Sequence, residues 1–136
     1  MAESEASPPA GFVAWPGTGF SGHVGPYFHG PDGAQAFFVA ERHCNGLGLI
    51  HGGMISAFMD GVLAAAAARA TSALPITMHL AVDYLEMGRM GHWLIGEGSL
   101  TKATGDVAFV EGRARIGARS VARATGVFKL MRRRLR

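Results

Sequence analysis

The stretch Gly53–Ala70, GMISAFMDGVLAAAAARA, decides the fold. It contains no proline, and five of its residues are consecutive alanines, the residue type with the best helix propensity. Its only polar residues are Ser56, Asp60 and Arg69. A helix that is apolar nearly all round is a buried helix, and its alanines let neighbouring backbone come close. The stretch therefore predicts one long buried helix that ends before Pro75.

Beyond this helix the hydrophobic pattern has a period of two, which is typical of half-buried β-strands. Before it, the turn Pro31–Gly33 joins two short aromatic-rich runs into a hairpin. The connectors between the later strands are short, and short connectors make neighbouring strands antiparallel. The predicted strands are Tyr27–His29, Ala36–Val39, Ile76–Tyr84, Trp93–Thr101, Val107–Ile116 and Arg119–Leu130.

These elements predict an α+β fold, in which one antiparallel sheet of about six strands packs against a long central helix. Because the helix is apolar nearly all round, one flat sheet face does not cover it. Either the sheet curves around the helix, or a second subunit covers the rest.

The length of 136 residues predicts a single domain over residues 1–136. We expect residues 1–15 to form a loose N-terminal segment and residues 131–136 to form a basic tail. The region up to Gly25 is rich in glycine, proline and alanine, and it predicts loop with one short helix near Thr18–His23.

The composition excludes several classes of protein. With 49% hydrophobic and 17% charged residues, the chain does not resemble a disordered protein. The single cysteine, Cys44, excludes a disulfide framework, and the six histidines show no metal-ligand spacing, so we expect no metal and no cofactor. The apolar run Met54–Ala68 is too short to cross a bilayer, and residues 1–9 do not resemble a secretory signal. We therefore expect a cytoplasmic protein with no membrane partner.

Positive charge is concentrated in the last quarter of the chain. From Arg113 to Arg136 there are nine Lys and Arg residues and no acidic residue. Such a run indicates either an anionic partner or a solvated strand face followed by a tail. The chain has no helix-turn-helix, no aromatic stacking platform and no zinc ligands, so we expect no nucleic-acid partner.

The residues 45–60, NGLGLIHGGMISAFMD, combine the features of a catalytic site. Gly52 and Gly53 open the helix, where backbone amides lack internal acceptors and lie at the positive end of the dipole, so they can form an oxyanion hole. Asn45 can add a side-chain donor. Asp60 is the only acid of the helix, and burial makes a carboxylate a stronger base. The structural alternative is an Asp60 that is paired with Arg69 or His51.

This stretch resembles the PaaI-like branch of the hotdog-fold acyl-CoA thioesterases. The family pattern is an Asn, a Gly three residues on, the sequence His-Gly-Gly, and an Asp seven residues after the last Gly. The chain supplies it with Asn45, Gly48, His51–Gly53 and Asp60. The segments His23–Tyr27, Val82–Leu85 and Ala124–Phe128 also look like family positions.

The resemblance implies a role for each residue. The thioester carbonyl would lie on the Gly52 amide, with Asn45 holding the carbonyl or the attacking water. Asp60, from the opposite subunit, would act as general base or as nucleophile. Thr77 would orient the water or the carboxylate, and His51 would shape the loop.

The resemblance also implies the ligand and the assembly. The substrate would be an acyl- or aryl-CoA thioester, hydrolysed to a free acid and CoA, with contacts from Gly53, Lys102, Thr104 and Gly105. Family members form dimers, often dimers of dimers, with their sites across the interface. The loop Glu86–Trp93 departs from the family, which usually has a proline-containing turn there. A non-catalytic acyl-CoA binding protein on the same fold is the alternative, and a hotdog dehydratase fits the motif less well.

Overall fold

The computed structural model describes residues 7–132 of the chain. In chain order its helices and strands are β1 (Val13–Trp15), α1 (Gly19–Val24), β2 (Tyr27–His29), β3 (Gln35–Phe38), α2 (Gly52–Thr71), β4 (Leu74–Tyr84), β5 (Trp93–Thr104), β6 (Val107–Ile116) and β7 (Arg119–Met131). Two short 3-10 turns, Pro31–Gly33 and Glu41–His43, flank β3.

The strands form one sheet in the order β1-β2-β3-β5-β6-β7-β4, with every neighbouring pair antiparallel. Although β4 directly follows α2 in the chain, it lies at the edge of the sheet, beside β7. One side of the β4 backbone therefore has no partner strand among residues 7–132. The sheet wraps one side of α2, which contacts β4, β5, β6 and β7.

The structure confirms the long helix and the curved antiparallel sheet, and it has seven strands rather than about six. The additional strand, β1, lies in the segment expected to be loose. A three-residue strand has no readable periodicity, and its pairing with β2 stabilises it. Helix α1 coincides with the short helix expected near Thr18–His23. Residues 131–136 were expected to form a basic tail, but Met131 still belongs to β7 and pairs with Leu74. Residues 133–136 lie outside the described part of the chain, as do residues 1–6.

Helix α2 lies very close to the sheet, and glycines in the strands make this possible. A Cβ on Gly96 would lie 2.8 Å from the side chains of Phe58 and Val62. A Cβ on Gly112 would lie 2.9 Å from the side chain of Leu63. These strand glycines are therefore positions where side chains of the helix pack directly against the backbone of the sheet.

The composition of α2 follows from its position in the core. It is 20 residues long, longer than the run Met54–Ala68 on which the sequence analysis relied. An 18-residue window within it has a mean hydropathy of 1.2, so by length and composition alone the helix is long and apolar enough to cross a membrane. The residues facing the sheet account for this composition, because they form the centre of the hydrophobic core. They are Met54, Ile55, Phe58, Met59, Val62, Leu63, Ala66 and Ala67.

The opposite face of α2 is only half-buried. It carries small side chains and one acid: Ser56, Ala57, Asp60, Gly61, Ala64, Ala65 and Ala68. The curved sheet of one chain therefore covers only part of the helix surface, and the rest stays open to a second subunit. This open face, next to the free edge of β4, carries the residues described below.

Candidate active site

Asp60 and Thr77 meet where the open face of α2 lies against β4. The Thr77 hydroxyl donates a hydrogen bond of 2.6 Å to Oδ1 of Asp60. A β-bulge between Thr77 and His79 interrupts the pairing of β4 with β7 directly beside this contact. Bulges of this kind redirect side chains and are common next to active sites. The structure thus brings together two site residues that are 17 positions apart in the sequence.

The alternative partners considered for Asp60 are engaged elsewhere. Arg69 donates from Nη1 to the carbonyl oxygen of Gly33, at 3.3 Å. Nδ1 of His51 accepts a hydrogen bond of 2.8 Å from the Gly53 amide. Within residues 7–132, Asp60 takes part in no ion pair. Its carboxylate is therefore oriented by a hydroxyl group and keeps three of its four lone-pair positions for other partners.

The first turn of α2 leaves one amide for a ligand. His51 is the N-cap residue, and its carbonyl accepts from the amides of Met54 and Ile55 at 2.9 and 3.1 Å. The His51 ring satisfies the Gly53 amide. The amide of Gly52, the first helical residue, has no acceptor within the helix. The predicted oxyanion donor, the Gly52 N–H, is therefore the one that the cap leaves free, while the Gly53 N–H is occupied.

Asn45 organises the loop that leads into the helix. Its side-chain Oδ1 accepts hydrogen bonds from the amides of Leu47 and Leu49, at 2.9 and 3.2 Å. Gly48 adopts a φ of +74°, a left-handed conformation that favours glycine. This explains why the motif spaces its Asn and Gly by three residues. The oxygen of Asn45 shapes the loop, and its carboxamide nitrogen is the group that can act as a donor.

Two further residues lie where the open face of α2 meets β4, namely Tyr84 and Ser56. The sequence analysis did not predict either of them as a site residue. The Tyr84 hydroxyl donates to the carbonyl oxygen of Gly52, at 3.0 Å. It also lies 2.6 Å from the Ser56 hydroxyl. Ser56 lies one helical turn from both Gly52 and Asp60, which is a signal in the sequence that could have indicated its position.

The predicted CoA-binding residues lie elsewhere in the same chain. Lys102 and Thr104 end β5, and Gly105 begins the turn to β6 with a φ of +59°. Strands β6 and β7 separate β5 from β4, so these residues are about 14 Å across the sheet from the Thr77 strand. One chain alone therefore does not bring them to Asp60.

In the described part of the basic last quarter, residues 113–132, most of the positive charges are paired with acids of the sheet. Four of its cations form exposed ion pairs with acids of other segments, namely Arg115–Glu97, Arg119–Glu86, Arg123–Asp83 and Lys129–Asp106. The hydrogen bond from Lys129 and its charge lower the pKa of Asp106. A groove of about 820 Å³ on this charged sheet face has none of the predicted site residues in its lining. The structure favours the solvated-face interpretation of these charges over a dedicated anion site.

Neither the buried histidine nor the cysteine has the surroundings of a catalytic group. His43 Nδ1 accepts from the Ala40 amide at 3.0 Å, so Nε2 carries the proton and donates to the Val24 carbonyl at 2.6 Å. Burial, and to a lesser degree the charge of Glu41, raises the pKa of the Cys44 thiol, which disfavours the reactive thiolate. Among residues 7–132 no three His, Cys, Asp or Glu side chains are grouped to hold a metal ion.

Solved structures share this architecture. A hypothetical thioesterase protein of Streptococcus pneumoniae, crystallised with coenzyme A, matches with a TM-score of 0.70 at 16% identity, over 80% of this chain and 84% of that chain. The BH2602 protein of Bacillus halodurans, also with CoA, matches with a TM-score of 0.66 at 23% identity, over 71% and 70%. Zebrafish thioesterase superfamily member 2 matches with a TM-score of 0.67 at 19% identity, over 76% and 74%. The architecture is that of the hotdog-fold proteins.

The sequence itself defines the family. Residues 47–122, more than half of the chain, match the model of the Thioesterase superfamily. A Pseudomonas aeruginosa protein that is named as an esterase is 35% identical over 113 residues, which cover 79% of this chain and 84% of that protein. The chain therefore belongs to the thioesterase superfamily.

Proposed function

We propose that the protein hydrolyses an acyl- or aryl-CoA thioester to the free acid and CoA, as a member of the PaaI-like branch of its superfamily. One observation carries this proposal: Asp60, oriented by Thr77, lies on the same open helix face as the free amide of Gly52. A carboxylate and a free amide at a helix N-terminus are the two groups that acyl transfer needs, the first as base or nucleophile and the second as oxyanion donor.

The proposed site combines two copies of the chain. Gly52 and Asp60 are eight residues apart on one helix, which is about 12 Å along its axis. A carbonyl oxygen and the nucleophile that attacks its carbon must both lie within about 3 Å of the reacting centre. Gly52 and Asp60 of a single chain cannot satisfy this together. Gly52 of one copy would therefore act with Asp60 of another.

The free edge of β4 supports this assembly. β4 is an edge strand of 11 residues that exposes large apolar side chains, including Ile76 and Met78. Long apolar edge strands are templates for pairing with another chain. Two copies paired through β4 would bring their open helix faces and their Asp60–Thr77 contacts to a common interface. A dimer is the smallest assembly that does this, and a dimer of dimers would retain it.

The mechanism requires water as the only co-substrate. The Gly52 N–H would stabilise the negative charge that develops on the thioester oxygen. Asp60 would either take a proton from the attacking water and pass it to the leaving sulfur, or attack the carbonyl carbon itself to form a mixed anhydride that water then hydrolyses. In both routes the C–S bond breaks and CoA leaves as the thiol, with a proton that comes from water. Thr77 would hold the carboxylate in position, and Asn45 would donate from its carboxamide nitrogen.

CoA is proposed as the carrier of the acyl group. Two of the structural neighbours, from Streptococcus pneumoniae and Bacillus halodurans, were crystallised with coenzyme A, which supports this choice. Lys102, Thr104 and Gly105 lie at an exposed strand end, where the Lys102 ammonium would bind a phosphate group at the far end of the long CoA molecule. Lys102→Ala should then raise KM and leave kcat nearly unchanged.

Thiol release from a panel of acyl- and aryl-CoAs tests the proposal, with wild type compared with Asp60→Ala. We expect turnover by the wild type and a loss of at least about 100-fold in kcat for the variant. Asp83→Ala is the matched control, since Asp83 is an exposed acid paired with Arg123 on the other sheet face. Saturable binding of acyl-CoA without thiol release would instead establish the alternative, a non-catalytic binding protein.

A further inference from the structure

We infer that Tyr84 is a positioning residue, which holds the Gly52–Gly53 peptide so that the adjacent Gly52 N–H points at the substrate. This inference rests on the proposed function and adds to it a residue outside the Asn-Gly-His-Gly-Gly-Asp motif. The evidence is the set of hydrogen bonds around the first turn of α2.

The Gly52–Gly53 peptide is held at both ends by side chains. Its carbonyl oxygen, on Gly52, accepts from the Tyr84 hydroxyl at 3.0 Å. Its N–H, on Gly53, donates to Nδ1 of His51 at 2.8 Å. We call these two hydrogen bonds the peptide clamp. The Gly52 N–H belongs to the preceding His51–Gly52 peptide, whose carbonyl oxygen accepts from the amides of Met54 and Ile55. The two peptide planes meet at the Cα of Gly52, so the clamp on one plane restricts the rotation that would turn the Gly52 N–H away.

Such a clamp has a physical purpose at this place. Two consecutive glycines have the greatest backbone freedom of any dipeptide, and the first turn of a helix is the part that frays. A donor that stabilises a transition state contributes most when its orientation is fixed before the reaction. The glycines that allow a substrate to come close therefore require side chains elsewhere to hold them.

Ser56 completes the arrangement. The single proton of the Tyr84 hydroxyl is used on the Gly52 carbonyl, so the Ser56 hydroxyl donates to the Tyr84 oxygen across 2.6 Å. Ser56 thereby fixes the rotation of the Tyr84 hydroxyl. The tyrosine ring itself lies close to Gly52, because a Cβ there would be 3.5 Å from the ring carbon that carries the hydroxyl. Ring and hydroxyl together form one wall beside the proposed oxyanion amide.

Tyr84→Phe tests the inference, because it removes the hydroxyl and keeps the ring. We expect kcat to fall about tenfold with KM changed less than twofold, since an interaction that acts in the transition state appears in kcat. Ser56→Ala should give a smaller fall of the same kind. The matched control is Tyr27→Phe, which removes the hydroxyl of the other tyrosine, located in the core, and should leave kcat and KM unchanged.

A double-mutant cycle separates positioning from a general structural role. If Tyr84 and His51 hold the same peptide, the loss caused by Tyr84→Phe should largely disappear in a His51→Ala background. His51→Asn, which retains an N-cap acceptor, should keep most of the dependence on Tyr84. Additive losses in kcat, an unchanged kcat in Tyr84→Phe, or a rise in KM alone would each overturn the inference.

The same variants separate this inference from the proposed function. If wild type turns over and Asp60→Ala does not, an unchanged Tyr84→Phe refutes only the role of Tyr84. If wild type turns over none of the thioesters, the proposed function fails. The rate of hydrogen exchange of the Gly53 amide then tests whether Tyr84 holds the peptide. Faster exchange in Tyr84→Phe than in Tyr27→Phe supports the clamp, and equal exchange refutes it.

Discussion

Gly52 and Asp60 lie on the same open face of α2, two helical turns and about 12 Å apart. The first carries the free amide at the helix N-terminus, and the second carries the carboxylate that Thr77 orients. This separation is too large for one thioester group to contact both. The proposed site therefore needs two chains for its chemistry, whether or not their association also stabilises the fold.

Mixing two inactive variants tests this requirement. Gly52→Pro removes the amide donor and suits the first helical position, and the ψ of 135° at His51 is the one favoured before proline. We expect Gly52→Pro and Asp60→Ala each to lose about 100-fold or more in kcat. Co-refolded in equal amounts, they should form mixed dimers with one intact site each, and recover about a quarter of wild-type activity.

Two controls accompany the mixing experiment. Gly52→Ala keeps the N–H and adds a Cβ that makes ordinary contact with Tyr84, so its loss in kcat should be smaller than that of Gly52→Pro. A double variant that carries both changes on one chain, refolded alone under the same conditions, should stay inactive. Complete lack of recovery from co-refolded, folded dimers would mean that both groups of a site come from one chain.

Thr77 should affect the chemical step with little effect on folding. Thr77→Val keeps the shape of the side chain but removes the hydroxyl that donates to Asp60. The carboxylate then samples other rotamers, and we expect a fall of about tenfold in kcat. Thr77 is exposed, so the free energy of unfolding should change by less than about 1 kcal/mol. Thr77→Ser should retain most of the activity, and equal kcat values for Val and Ser variants would contradict this role.

Much of the fold can be predicted from the sequence because the relevant signals are local. The apolar, alanine-rich run of α2 and the period of two in β4 each specify an element on their own. β1 has no such signal, since its three residues are exposed and it depends on pairing with β2. The motif is likewise local, and its resemblance to the family predicts Gly52 and Asp60 as site residues.

The missing parts of the site depend on contacts between distant segments. Tyr84 lies in a segment that resembles the family, but the sequence indicates no role for it, because its bond to Gly52 joins positions 32 apart. Arg123 belongs to a run of unopposed cations in the sequence, yet strand register places Asp83 directly opposite it. The register of the sheet thus decides both which hydroxyl reaches the helix and which charges are neutralised.

Tyr27 should make the fold less stable at alkaline pH. Burial raises the pKa of Tyr27 from 10.0 to about 12. Above pH 10 the unfolded chain loses this proton before the folded chain does, so the free energy of unfolding should fall as pH rises from about 10 to 12. Tyr27→Phe removes this contribution. Urea unfolding of both proteins at pH 8 and pH 11 measures it, and an equal drop in both would show that Tyr27 is not responsible.

Gly61 should matter to the assembly and not to the fold of one chain. It lies within α2 beside Asp60, and a Cβ there would have no neighbour within 4 Å. Glycine inside a helix costs about 1 kcal/mol relative to alanine, and no neighbour within residues 7–132 requires it here. In the proposed dimer the second copy approaches this position. Gly61→Ala should therefore weaken association, measured by sedimentation equilibrium, whereas Ala70→Ser, an exposed change on the last turn, should not. Unchanged association together with a higher Tm would place the interface elsewhere.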